Sequence, residues 1–298
     1  MNRSDRLYQI LSDESVKHKA EQWTVYLSFV LFFGHLILIF LRNTLPENIY
    51  LSGLNPNYLA ALYTPFSVIL VYEVYLLILA LPLSFSESIR KQYEIISLII
   101  IRRVFKDISN FESFDQIAEQ KEAILQIATD LGSGLLLFLL VGVFYHVSLK
   151  RQGLMPISKA EIGKFISLKK RVALFLVVVF TSLTFIAVWQ LVSAAYDLIF
   201  YEVPFTLDLN ILFFIEFYTV MIFADVFIFI ASFMFSQTYA RLFRNAGFVS
   251  STVILRISLS ADPIYGGWIA AVALLTGIIS QLIYVYLSRL EQNQRESG

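Results

Sequence analysis

Cysteine is absent from this chain of 298 residues. That excludes disulfides, a thiol nucleophile, iron–sulfur ligation and thiolate zinc sites. Charge is scarce as well, at 15% of residues, where a soluble domain carries roughly 25%. Lys+Arg and Asp+Glu are equal at 23 each, so no net positive field exists to draw in nucleic acid. Three histidines, His18, His35 and His146, stand far apart with no His-x-x-x-His spacing, which leaves no starting point for a metal site. No P-loop or dinucleotide glycine fingerprint occurs, and no nucleophile–base pair is legible. The reading is therefore not an enzyme, with no cofactor.

What is present is apolar surface. Hydrophobic residues make up 57% of the chain and the mean hydropathy is +0.69, more than a soluble protein of this size can bury. The sequence thus predicts an all-α, polytopic integral membrane helix bundle whose first partner is the lipid bilayer. About 20 mainly apolar residues cross a hydrocarbon layer, and residues 23–41, 58–81, 131–149, 172–199, 209–235 and 264–287 fit that length. Residues 88–108, apolar in the middle and charged at both flanks, form a seventh candidate, giving six or seven spans. Residues 1–22 are expected as a cytoplasmic tail, 23–290 as the bundle and 291–298 as a polar tail. The first span reads as a retained anchor, not a cleaved signal.

Lys and Arg remain on the cytoplasmic side. Segment 150–171 carries seven of them and 200–208 none, so the amino terminus, 150–171 and 236–263 are placed inside and 200–208 outside. Six crossings cannot satisfy all these assignments; a crossing at 88–108 restores the parity. Absent cysteine and short outer loops suit a bacterial inner membrane. Residues 93–105 can also be laid against 215–227, an echo that would imply inverted three-span repeats.

The chemically informative residues are acids in apolar runs: Glu73, Asp225 and, nine residues before the latter, Glu216. A charge at the centre of a spanning helix is costly, so such groups face the bundle interior. Glu73 and Asp225 are read as a path for protons or small cations, Glu216 as its entrance, and Pro65 as a kink that frees a backbone carbonyl nearby. Arg102 and Arg103 are the charge partners that would make the acids structural instead. Two functions follow: a channel or transporter for protons or small cations, or a scaffold or regulatory subunit that positions partner proteins. The partners expected besides lipid are a further copy of the chain or another membrane protein.

Overall fold

The computed structural model describes residues 3–45, 54–109, 121–149, 159–201, 209–235 and 238–296. Among them there is no strand. A short amphipathic helix, α1 (Arg3–Ser12), ends before Asp13, whose extended backbone lets the chain turn into α2 (Glu14–Thr44). A 3-10 turn (Tyr58–Leu62) leads into α3 (Tyr63–Ala80), and α4 (Phe85–Ser109) and α5 (Lys121–Leu149) follow. The second half consists of α6 (Lys159–Tyr201), α7 (Leu209–Ser232), α8 (Tyr239–Ser260) and α9 (Pro263–Glu296). Five helical stretches are long and apolar enough to cross a membrane: Glu14–Thr44, Tyr58–Ala80, Lys121–Ser148, Gly163–Ala194 and Ile264–Leu290.

Three sequence expectations change here. Residues 236–263 are not a loop: the chain breaks after Ser232 and resumes as α8, which brings Arg241, Arg244, Asn245 and Arg256 into the interior. Pro65 produces no mid-helix kink, because it sits in the first turn of α3, where its missing N–H has no helical partner to lose. The helix expected over 131–149 starts earlier, at Lys121, so that Asp130 lies inside α5. Likewise, the basic stretch 159–171 belongs to α6. Residues 150–158 and 202–208 lie outside the described residues.

The core is a set of four helices, with α4 along α5, α5 along α9 and α9 along α8. Close approach is achieved by small residues. Gly277 on α9 receives the Tyr93 hydroxyl, and Gly134 on α5 lies against Ile101. At the centre the Tyr93 ring meets Phe144 edge-on at 5.0 Å, and Phe144 meets Phe248 at 5.8 Å. The Ser251 hydroxyl donates to the Ala273 carbonyl, so the Tyr93 hydroxyl must be the donor to Ser251. Three core helices are thereby tied at one point.

Two halves are recognisable, α2–α5 and α6–α9. Each opens with a long helix and continues with a helix holding one buried acid, Glu73 in α3 and Asp225 in α7. The third helix of each supplies the arginine that meets that acid, Arg102 in α4 and Arg256 in α8. The same helices place Arg90 over Tyr145 at 5.0 Å and Arg244 over Tyr284 at 4.6 Å, on the fourth helix of each half. The echo in the sequence is thus relocated: α4 corresponds to α8, not to α7. Helix α1 bonds the end of α3, through Tyr8 to the Leu79 carbonyl, and the early part of α6, through Asp5 to Lys170. The start of α6 therefore lies at the α1 end of the bundle, where α2 also begins. Four helices per half return the chain to that end, so the halves run in the same direction and are not inverted.

Candidate functional site

Ionisable side chains form a row inside the bundle. At the α1 end, Lys169 projects inward from α6, donates to the Leu83 carbonyl at 2.5 Å and lies 5.0 Å from the Phe85 ring centre. Its electrostatic neighbour is Asp225. Asp225 is paired with Arg256, which also donates to the Met221 carbonyl at 3.2 Å and to Gln92 Oε1 at 2.9 Å. Gln92 turns its amide nitrogen to Ser88 Oγ at 3.3 Å. Arg256 is among the largest fully buried side chains, and three oxygen acceptors surround it. That is the condition under which a buried guanidinium is tolerated.

Beyond this pair the row continues through Tyr218, which lies in the field of Glu73, Arg103 and Arg256. Glu73 is ion-paired with Arg102. Arg103, next in sequence, points elsewhere: it donates to the Leu259 carbonyl at 2.9 Å and to the Ser258 carbonyl at 3.4 Å, at the end of α8. Its charge acts on Asp130 and Asp107. Asp107 accepts from Gln126 at 2.6 Å. Asp130 is fully buried, and neither of its carboxylate oxygens meets a hydrogen-bond donor among the described residues. Its electrostatic neighbours are the Arg103 guanidinium and the Asp107 carboxyl. Two ionised carboxylates are both acceptors and cannot bond one another. Arg103 offsets one negative charge of the two, and a proton held by either carboxyl would offset the other.

The acids singled out from sequence are therefore separated by the fold. Glu73 and Asp225 do not converge on one cavity; each is taken by its own arginine, Arg102 and Arg256. Glu216 is exposed on α7, about half a turn from Asp225 in direction, and does not join the row. Of the expected partners, Arg102 engages Glu73, while Arg103 engages α8 carbonyls and the aspartate pair. Sequence reasoning missed Arg256, Lys169, Asp107 and Asp130, all charged residues in segments taken for loops or flanks. The one signal available was spacing, because Arg90, Ser97 and Arg102 recur at the same intervals as Arg244, Ser251 and Arg256. His35 is bonded to Thr64 at 2.7 Å, away from the row. Comparison with protein-family models, characterised proteins and solved structures finds no match.

Proposed function

We propose that the chain is a multi-pass protein of a bacterial inner membrane that moves protons or small cations. In this reading α2–α9 make eight crossings, with the amino terminus and the start of α6 cytoplasmic and the α8–α9 turn external. Eight crossings satisfy the parity that six could not, and they keep the basic start of α6 inside. The observation that carries the functional reading is Asp130, a fully buried carboxyl with no donor but a second carboxyl beside it. A buried carboxyl without a donor, placed among other ionisable groups, is suited to taking up and releasing a proton. Glu73 and Asp225 serve in this scheme as fixed counter-charges to Arg102 and Arg256.

The test is proton and sodium flux by the purified protein in liposomes under an imposed gradient, with Asp130→Asn and Glu216→Gln alongside. Flux lost in Asp130→Asn and kept in Glu216→Gln supports the reading. No flux from the parent protein, or full flux in Asp130→Asn, overturns it. The second reading, a scaffold or regulatory subunit, is favoured by the ion pairs that Glu73 and Asp225 each make with an arginine, which resemble a locked structural core. A stoichiometric membrane-protein partner retained in mild detergent, together with absent flux, would decide for it.

A further inference from the structure

The three successive cations at the α1 end of α6 have different surroundings. Lys169 points inward to the Leu83 carbonyl, and Lys170 reaches Asp5 at 3.3 Å and the Tyr8 ring at 5.8 Å. Arg171 opens instead into a cleft of about 580 Å³ between α6 and α7, together with Lys164, Ser167 and Leu168. The spacing of these four residues places them on one helical face. Opposite them are Phe227, Ile230 and Ala231 on one face of α7, with Met234 and Phe235 in the turn that follows it. Among the described side chains no carboxylate lies within ion-pair distance of Arg171.

The cleft is chemically graded along its length. Arg171 is the last charged residue before a run without charge that extends from Val172 to Tyr196, so it marks the edge of the apolar zone. Lys164 lies two helical turns further toward the α1 end. Phe227 and Ile230 stand deeper, at 50% and 62% exposure, and Met234 near the edge is 81% exposed. Cations at the rim above an apolar wall complement an amphiphile with an anionic head and a hydrocarbon tail. A soluble anion would use the rim alone and leave the wall exposed, and a zwitterionic head would add a cation beside two cations.

We infer that this cleft binds one anionic phospholipid, with its phosphate on Arg171 and Lys164 and an acyl chain along Ile230 and Phe227. The inference rests on the membrane reading above, and extraction of membranes with alkaline carbonate checks that reading separately. A chain that washes off overturns both, whereas a chain that stays and shows no lipid preference overturns only the lipid site.

The experiment is native mass spectrometry of the purified protein titrated with phosphatidylglycerol or phosphatidylcholine. The parent should retain one phosphatidylglycerol in preference to phosphatidylcholine. The double variant Lys164→Gln/Arg171→Gln should weaken that binding about tenfold or more, two well-placed basic residues having been removed. Ile230→Trp, which fills the apolar wall and leaves both cations, should weaken it too, and Lys170→Gln should not. Equal binding of the two lipids, displacement by inorganic phosphate, or loss in Lys170→Gln as large as in the double variant overturns the site. A protein chain held in the cleft and released by Ile230→Trp would do so as well.

Discussion

Arg256 of α8 is paired with Asp225 of α7 at a point where the arginine side chain has no exposure and the aspartate 6%. The equivalent pair in the first half, Arg102 with Glu73, leaves the arginine 24% exposed and the glutamate 5%. The two contacts occupy corresponding positions but different dielectric surroundings, and their removal should differ accordingly.

Asp225→Asn strands a fully buried guanidinium, which costs about 3–5 kcal/mol. Glu73→Gln leaves Arg102 with a route to the surface and should cost about 1–3 kcal/mol, the range for a hydrogen bond to a charged group. Thermal unfolding in detergent ranks the two. The double variant Asp225→Asn/Arg256→Met should recover part of the loss, because the unpaired charge has gone with its partner. Equal destabilisation by the two single changes would count against the difference in burial as the cause.

Most helices were legible from apolar runs, since α2, α3 with the turn before it, α5, α6, α7 and α9 each contain a stretch of the length a bilayer requires. Helix α8 was not, and the reason lies in Arg241, Arg244, Asn245 and Arg256. Polar residues on a short segment normally signal exposure to water. Here they are buried because the bundle supplies acceptors and rings: Asp225 and Gln92 for Arg256, and the Tyr284 ring for Arg244. Such compensation comes from distant elements and is invisible in a local window. The same holds for Asp130, whose neighbour Asp107 is brought to it by the packing of α4 on α5.

Gly266 should tolerate no side chain. A Cβ there would lie 2.7 Å from the Ser258 carbonyl oxygen and 2.5 Å from Arg103 Nη1, whereas one at Gly34 meets nothing within 4 Å. The carbonyl is backbone and cannot step aside, and Arg103 is held by the same helix end. Gly266→Ala should destabilise by about 1–3 kcal/mol through overpacking. Gly34→Ala should stabilise by roughly 0.5–1 kcal/mol, because glycine weakens a helix interior relative to alanine. Melting temperatures of the two variants should move in opposite directions.

The eight-crossing arrangement differs from a six- or seven-span one at the α8–α9 turn. With α8 as a loop, Ala261 would be cytoplasmic; with α8 as a crossing helix, it is external. Because the chain contains no cysteine, single cysteines can be introduced without preparing a background. In intact cells an impermeant thiol reagent should label Ala261→Cys and Glu202→Cys and spare Lys159→Cys. Labelling of Lys159→Cys, or protection of Ala261→Cys with Glu202→Cys labelled, contradicts the arrangement.

Helix α1 should release at alkaline pH, and Tyr8 should govern the release. Its hydroxyl donates to the Leu79 carbonyl at 2.7 Å, and Tyr75 donates in turn to the Leu11 carbonyl at 2.7 Å. Burial, with a contribution from nearby Tyr75, pushes the Tyr8 phenol up from 10.0 to about 12. Raised in the folded state, this value means that the docked helix binds the proton more tightly than the free one. Below pH 10 both states are protonated and the contact is fully present. Between pH 10 and 12 the released helix loses its proton first, so docking weakens as pH rises through that window. A phenolate would also set an acceptor against the Leu79 carbonyl. Tyr8→Phe removes the hydrogen bond, at about 1 kcal/mol, and should abolish this part of the pH dependence while loosening α1 at neutral pH. The measurement is amide hydrogen exchange of residues 3–12 across that range, in parent and variant. An unchanged alkaline transition in Tyr8→Phe would assign it to another group.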